Sequence, residues 1–212
     1  MQRLGIFGTS GFARETADIA YELGYDPFYI ARDVAERDAW SFDGEVILES
    51  SLDTMAAGAI FAIGIGDNAV RQKVAQRYGG KLTFPTLIHP KASFGHGQRE
   101  RVLAAPGVLV CAGVRMTNNI RLGDFGIFNL NATVGHDVDI AAFVNVSPGA
   151  NISGNVSIGE RCWIGTGAMV NQGAGETKLV IGHDTTIGSG SVVVRDCDPQ
   201  AVYVGIPAKR IK

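Results

Sequence analysis

An apolar residue recurs at every sixth position between residues 102 and 196, and this spacing dominates the hydrophobic pattern of the chain. Fifteen blocks of six can be written, interrupted once by five additional residues, AGETK at 174–178. The third place of every block is apolar: Ala104, Val110, Met116, Leu122, Phe128, Val134, Ile140, Val146, Ile152, Ile158, Ile164, Val170, Ile181, Ile187 and Val193. An α-helix would show a period near 3.6 and a single half-buried strand a period of two. A period of six predicts short strands separated by turns and wound as a parallel β-helix.

Three blocks make one coil, so residues 18 apart are expected to stack along the axis of the β-helix. Residues that tolerate a tight or left-handed backbone recur at two corners of the coil. One column comprises Gly113, Asn131, Gly149, Gly167 and Gly190, and the other comprises Asn119, Asp137, Asn155, Gly173 and Asp196. This register places His136 at a corner with its ring outside the coil, Gly154 one coil above it and the AGETK insertion at the same edge. We expect the insertion to overhang a groove along this edge.

Residues 1–88 follow a different pattern. The β-branched and aromatic runs RLGIFGT and PFYIARD alternate with the helical stretches GFARETADIAYELGY and NAVRQKVAQRYG. Alternation of strand and helix predicts a small parallel sheet covered by helices. We therefore predict an α/β N-terminal Rossmann-like domain at 1–88 and a C-terminal β-helix domain with a short tail at 89–212.

The composition is that of an ordinary globular protein and excludes several classes of partner. The 212 residues are 46% hydrophobic and 19% charged, with a formal net charge of −2. Such a surface does not favour nucleic acid, whose phosphates require a basic face. No apolar run approaches the ~20 residues that span a membrane, and the N-terminus MQRLGIFG lacks the features of a secretory signal. Three cysteines do not suit a disulfide framework, which favours a cytoplasmic location.

His136 and Asp137 are the strongest candidates for chemistry within the repeat. A histidine with a pKa near ~6.5 can accept a proton, and a neighbouring carboxylate can hold its tautomer and stabilise the imidazolium. The repeat alone equally allows a solvated corner histidine without a catalytic role. In the N-terminal domain the turn GTSG at 8–11 joins a strand to a helix. Its amides could bind a phosphate, although such turns can also need glycine for shape alone.

Five motifs together resemble the bacterial sugar acetyltransferases of the NeuD/PglD type, which are left-handed β-helix proteins with a hexapeptide repeat. The motifs are GTSGFARE at 8–15, IGDNAVRQK at 65–73, IHPKA at 88–92, GHD at 135–137 and GIPAKRI at 205–211. The resemblance covers nearly the whole chain. It implies a homotrimer whose active sites lie between adjacent β-helices, acetyl-CoA as co-substrate, no metal, and a nucleotide sugar as the second small-molecule partner.

The resemblance also assigns roles to individual residues. His136 matches the catalytic histidine of the family and Asp137 matches its partner carboxylate. The substrate contacts match Ser10, Gly11, Asp33, Asp67, Asn68 and Asn129, and the contacts to CoA match Asn145, Gly154 and Thr166. Asn145 departs from the pattern, because many relatives carry a second histidine at this place. Its amide can donate a hydrogen bond to the thioester or the pantetheine, but it cannot take a proton.

We therefore predict an acetyl-CoA-dependent N-acetyltransferase that acts on a nucleotide-linked amino sugar, most simply a 4-amino sugar. His136 would be the general base of a direct transfer without an acyl-enzyme, and Cys162, in the small-residue row, would face the core. The alternatives are an O-acetyltransferase acting on a sialic acid or related sugar, and a non-catalytic scaffold that binds a sugar nucleotide. A zinc hydratase on the same β-helix needs three converging histidines, whereas only His136 and His183 lie within the repeat.

Overall fold

The N-terminal domain is a small parallel sheet with helices, as predicted. A computed structural model of the chain describes residues 1–55 and 58–212. The elements of this domain are β1 (Arg3–Phe7), α1 (Gly11–Glu22), β2 (Asp26–Ala31), α2 (Val34–Asp38), β3 (Val46–Leu48), a 3₁₀ turn (Glu49–Ser51), α3 (Leu52–Met55), β4 (Ile60–Ile63) and α4 (Asn68–Tyr78). The strand order is β3-β2-β1-β4. This order reverses between β1 and β4, and open α/β sheets bind ligands at such a point, beyond the carboxyl ends of the strands.

The C-terminal domain is a three-sided parallel β-helix. Its faces, named A, B and C here, are built from strands of two or three residues. Face A contains β5 (Leu87–Ile88), β7 (Leu109–Val110), β10 (Ile127–Phe128), β13 (Asn145–Val146), β16 (Trp163–Ile164), β19 (Thr186–Ile187), β21 (Val202–Val204) and β22 (Lys209–Arg210). Face B contains β6 (Ser93–Phe94), β8 (Arg115–Met116), β11 (Thr133–Val134), β14 (Asn151–Ile152), β17 (Met169–Val170) and β20 (Val192–Val193). Face C contains β9 (Arg121–Leu122), β12 (Asp139–Ile140), β15 (Val156–Ile158) and β18 (Leu179–Ile181).

The stacking register agrees with the six-residue spacing. Thr133 pairs with Asn151, so paired residues are 18 apart below the insertion. Val156 pairs with Leu179, so the spacing becomes 23 across it. The apolar third places from Val110 to Val193 point into the prism, where most of them are fully buried. Each coil thus buries one row of side chains against its neighbours, and this burial is the main favourable term for the domain.

The first of the fifteen blocks was assigned wrongly. Residues 102 and 103 end a helix, α5 (Gln98–Leu103), and Ala104 lies exposed in the turn that follows. In the lowest coil this helix takes the place of a strand on face C. The buried Gln98 amide replaces the missing ladder, because its oxygen accepts from Ile120 N and its nitrogen donates to Ile120 O, each at 2.9 Å. The lowest coil begins with β5 at Leu87, two residues before the predicted start of the β-helix domain at 89.

The edges between faces, named AB, BC and CA, carry the turns. On edge AB the predicted column from Gly113 to Gly190 has positive φ at all five positions. On edge BC, Asn119, Asp137 and Asn155 have φ between 54° and 59°, but Gly173 and Asp196 do not share this conformation. Gly173 differs because the chain leaves the coil there to form the insertion.

A third column, on edge CA, was missed. It comprises Phe125, Phe143, Arg161 and Asp184, with φ between 55° and 60°. Bulky side chains rarely adopt this backbone. The rings of Phe125 and Phe143 stack with their planes 2° apart and their centroids 5.5 Å apart, so cross-coil packing offsets the cost of the turn.

Candidate active site

His136 and Asp137 form a hydrogen-bonded pair at the solvent-facing edge BC. Nδ1 of His136 lies 2.7 Å from Oδ2 of Asp137, and the histidine side chain is 59% exposed. The second carboxylate oxygen of Asp137 accepts from the side-chain amide of Asn119, one coil below. The bond from Asn119 and the contact with His136 both favour the charged form and lower the pKa of Asp137. The pair leaves Nε2 of the ring free to exchange a proton.

Gly154 covers the His136 ring from the next coil. A Cβ atom on Gly154 would stand 2.6 Å from Nε2, so any larger residue would displace the ring. The Gly154 carbonyl accepts from Gly173 N at 3.2 Å. Within the described part of the chain, the Gly154 N–H has no hydrogen-bond acceptor. It is therefore a backbone donor without a protein partner next to the histidine.

The AGETK insertion lies over the same edge, as predicted. Asn155 holds it in place, since its amide donates to Gly175 O and to Thr177 O, each at 3.0 Å. Lys178, the last inserted residue, points back toward the coil. Its ammonium donates to the backbone carbonyl of Asp137 and lies 3.2 Å from a carboxylate oxygen of Asp139. The insertion and the edge enclose a cavity of about 440 Å³ that His136, Asp137 and Lys178 help to line.

A second cavity, of about 230 Å³, lies at the carboxyl ends of β1 and β2. Its walls are apolar and its rim contains Thr9, Ser10 and Glu36. Ser10 is the N-cap of α1 and makes no side-chain capping bond, which leaves its hydroxyl available. The Glu36 carboxylate is fixed on the rim by the Thr9 hydroxyl at 2.7 Å and by Arg32 N at 2.8 Å. This cavity lies at the predicted position for a nucleotide.

Asp33, the acidic residue predicted for this ligand, is not among the residues that line the cavity. It caps α2 by accepting from Glu36 N at 2.9 Å, and it forms an ion pair with Arg32. Those two bonds lower the pKa of Asp33. Gly11 begins α1 next to the cavity but does not line it either.

Asp67 and Asn68 lie at a third place, where α4 meets face A. Asp67 caps α4 by accepting from Val70 N at 2.8 Å. Asn68 is buried and donates to the carbonyls of Arg161 and Cys162, so its side chain joins the two domains. Together with Trp163 they line a cavity of about 340 Å³, separate from the one at Ser10.

The remaining predicted residues lie away from edge BC. Asn129 and Thr166 are on edge AB, and the Asn129 side-chain oxygen accepts from Leu130 N at 2.7 Å. Asn145 lies on face A, 4% exposed, and donates to Gly66 O at 3.1 Å. Its side-chain oxygen has no partner among the described residues. None of the three lines the cavity beside His136, so a single protomer does not bring all predicted site residues together.

Three residues that contribute to these sites were not predicted from the sequence. Glu36 could have been found from the spacing Asp33-Val34-Ala35-Glu36, a capping pattern that assigns Asp33 to the helix. Lys178 was seen only as part of an insertion. Arg71 is buried in α4 and donates to the side-chain oxygen of Asn68 at 2.8 Å. It gave no signal, because a buried arginine without a carboxylate partner cannot be inferred from its neighbours in the sequence.

The three cysteines do not supply an activated thiol. Cys111, Cys162 and Cys197 are free and buried. Burial raises the pKa of Cys162 to about 11, which keeps the thiol protonated at neutral pH. Cys162 therefore faces the core, as expected, and is a poor nucleophile. Within residues 1–55 and 58–212 there is no group of three or more metal-ligating side chains. No helix in that part of the chain is long and apolar enough to cross a bilayer.

Comparison with known proteins agrees with this architecture. Residues 3–78 match the family described as the PglD N-terminal domain. The GDP-perosamine N-acetyltransferase of Escherichia coli O157:H7 is 28% identical over 192 residues, which cover 86% of this chain and 84% of that protein. PerB from Caulobacter crescentus, solved with CoA and GDP-perosamine, is 28% identical with a TM-score of 0.86 and covers 100% of this chain and 98% of its own. The acetyltransferase domain of PglB from Neisseria gonorrhoeae, solved with acetyl coenzyme A, is 28% identical with a TM-score of 0.86 over 99% of each chain.

Fold and site together define a left-handed β-helix acyltransferase with an N-terminal α/β domain. Within that class, the family model over residues 3–78 and the sequence and structural matches support the NeuD/PglD-type sugar acetyltransferases as its family.

Proposed function

We propose that this protein transfers the acetyl group of acetyl-CoA to the amino group of a nucleotide-linked amino sugar, with the amine at C4 of the sugar. The observation that carries the proposal is the pair of His136 and Asp137, joined at 2.7 Å on an exposed edge beneath Gly154. The relatives that match over 86% or more of the chain support the substrates, because they act on GDP-perosamine or were solved with CoA or acetyl-CoA.

The geometry suits the proton transfers of this reaction. The free amine attacks the thioester carbon, and the nitrogen then loses a proton to Nε2 of His136. Asp137 stabilises the imidazolium through Nδ1. The carbonyl oxygen becomes an oxyanion, for which the unpaired N–H of Gly154 is a suitable donor. Collapse of the intermediate breaks the carbon–sulfur bond, and the imidazolium proton passes to the departing thiolate.

We assign the nucleotide to the N-terminal cavity of about 230 Å³. Its apolar walls suit a base, and the start of α1 at Ser10 and Gly11 offers backbone N–H groups to a phosphate. Glu36, rather than Asp33, presents a carboxylate to the ligand. We assign Asp67 and Asn68 to contacts with the part of the acceptor sugar nucleotide that lies nearest to face A.

A homotrimer is part of the proposal, because the assigned residues occupy different edges of the prism. His136, Asp137 and Gly154 lie on edge BC, whereas Asn129 and Thr166 lie on edge AB. Packing edge BC of one protomer against edge AB of the next would assemble one site from two chains. Apolar side chains exposed on face B and its edges, Leu130, Met169 and Val194, are consistent with such packing. The unpaired, buried cysteines suit a cytoplasmic enzyme.

An acetylation assay tests the proposal. Acetyl-CoA consumption would be measured with UDP-, dTDP- and GDP-linked 4-amino sugars, and with free sialic acid as the hydroxyl acceptor. We expect turnover with at least one nucleotide-linked amine and none with sialic acid. Turnover restricted to the sialic acid would favour O-acetylation, for which the 30% identity over 115 residues to the galactoside O-acetyltransferase of Escherichia coli K12 is a precedent. Absence of turnover with every acceptor would refute the proposal.

A further inference from the structure

Lys178 is the only inserted residue whose side chain reaches the catalytic pair within the described part of the chain. Its ammonium donates to the carbonyl of Asp137 and lies 3.2 Å from the carboxylate of Asp139, the first residue of β12. The side chain is 31% exposed, so the ammonium is partly withdrawn from water. Arg121, which also lines the cavity beside His136, is 3.9 Å from Asp139 and largely exposed.

Hydrogen bonds within the insertion and from Asn155 fix the position of the Lys178 ammonium beside Asp137. Asn155 anchors the backbone at Gly175 and Thr177, and Thr177 N closes the turn onto Ala174 O at 2.9 Å. Asn155 belongs to the coil directly above Asp137. The five added residues therefore form a short brace between the two coils that hold His136 and Gly154.

A second Gly-His-Asp sequence, at 182–184, has a cation in a different position. His183 and Asp184 on edge CA have the same Nδ1–Oδ2 distance, 2.7 Å. There the cation, Arg161, bonds both carboxylate oxygens of Asp184, at 2.6 and 2.7 Å. At edge BC the cation holds the backbone of Asp137 instead. The Asp137 carboxylate thus keeps its negative charge available to an imidazolium.

We propose that Lys178 is a positioning residue for proton transfer at His136. This rests on the proposed function. Asp137 has φ of 59°, a left-handed backbone that aspartate tolerates, and its carbonyl is bonded by the Lys178 ammonium. By fixing the Asp137 carbonyl, Lys178 fixes the direction in which the carboxylate meets Nδ1. Small displacements of a catalytic group reduce turnover strongly.

Lys178 is not assigned to the phosphates of CoA. Its ammonium is already engaged by Asp137 and Asp139, whereas a phosphate ligand would need it free. The two roles differ in kinetics, because loss of a phosphate contact raises the KM for acetyl-CoA, while loss of positioning lowers kcat.

The test compares Lys178→Met, Lys178→Arg and the surface control Lys81→Met in steady-state assays of the intact protein. We expect Lys178→Met to lower kcat about 10-fold with both KM values within about twofold. Lys178→Arg should restore most of the turnover, and Lys81→Met should equal the unsubstituted protein. In an Asp137→Asn background, Lys178→Met should cost less than about twofold, because the residue acts through Asp137.

Three outcomes would overturn the inference: an unchanged kcat in Lys178→Met, a rise confined to the KM for acetyl-CoA, or full multiplication of the two losses in the double variant. These results leave the proposed function intact as long as the unsubstituted protein acetylates an amino sugar. Size-exclusion chromatography and a melting curve for each variant confirm that the assembly is preserved.

Discussion

At the scale of single residues, the pairs His136–Asp137 and His183–Asp184 are identical in sequence but differ in the side chains that contact each aspartate. The triplets at 135–137 and 182–184 are identical, and both aspartates have a left-handed backbone. Arg161 bonds directly to Asp184 and lowers the pKa of that carboxyl to about 2. Asp137 is held by the neutral amide of Asn119. An imidazolium at His183 would therefore compete with a guanidinium for its carboxylate, whereas one at His136 would not.

Nucleotide affinity tests the reassignment from Asp33 to Glu36. Removing a charged acceptor of a ligand hydrogen bond costs about 1.5–3 kcal/mol, so Glu36→Gln should weaken binding of a nucleoside diphosphate about 10-fold or more in calorimetry. Asp33→Asn is the matched control, because asparagine also caps helices well; its dissociation constant should change less than about twofold. A larger loss in Asp33→Asn than in Glu36→Gln would restore the original assignment.

At the scale of elements, helix α4 joins the two domains through one buried cation. Arg71 is 1% exposed and donates to the carbonyls of Ile65 and Gly66 in the N-terminal domain, and of Phe125 and Phe143 on edge CA. Burial lowers the pKa of Arg71 to about 10, so the group stays charged at neutral pH. The Arg71 side chain thus bonds both the left-handed turns of edge CA and the loop at Gly66 beside Asn145.

Stability measurements test this role. Arg71→Met leaves several buried carbonyls without donors, so the free energy of unfolding should fall by about 3 kcal/mol or more. Lys73→Met, an exposed change on the same helix, should stay within about 0.5 kcal/mol of the unsubstituted protein. Urea denaturation of both variants provides the comparison. Equal midpoints would show that Arg71 does not hold the domains together.

The elements also show where prediction from the sequence succeeds. The faces could be predicted because each coil repeats the same burial requirement at a fixed spacing. Helix α5 could not, because Val102 near its end and Ala104 in the turn after it happen to continue the six-residue count. Only the bonds between Gln98 and Ile120 reveal that the helix replaces a strand. The column on edge CA escaped notice because ring stacking between coils, which is not visible in local sequence, stabilises Phe125 and Phe143 in turns that favour glycine or asparagine.

At the scale of the whole molecule, the location of the proposed catalytic pair, His136 and Asp137, was predictable and the composition of the site was not. His136 and Gly154 follow from stacking at a constant spacing. The residues assigned to CoA and to the acceptor are distributed over edges AB and BC and the N-terminal domain. Contacts across such distances depend on how protomers pack, and a single sequence contains no direct signal for this.

Light scattering and subunit mixing test the shared site. The protein should have a mass about three times that of its 22.4 kDa chain. Thr166→Trp should obstruct the groove at edge BC of the neighbouring protomer. It should not alter His136 and Asp137 of the protomer that carries the substitution. Co-expressed with His136→Ala, it should give mixed assemblies that regain activity, because some interfaces then combine an intact edge BC with an intact edge AB. A monomer, or mixtures no more active than the separate variants, would count against a site between protomers.

The most direct measurement of the central claim is the turnover number of His136→Ala beside that of His183→Ala. Both substitutions remove a histidine that is 2.7 Å from the aspartate following it. We predict that His136→Ala lowers kcat about 10²–10⁴-fold with the assembly intact, whereas His183→Ala stays within about twofold of the unsubstituted protein. Near-normal turnover in His136→Ala, or equal losses in the two variants, would contradict the assignment of the general base.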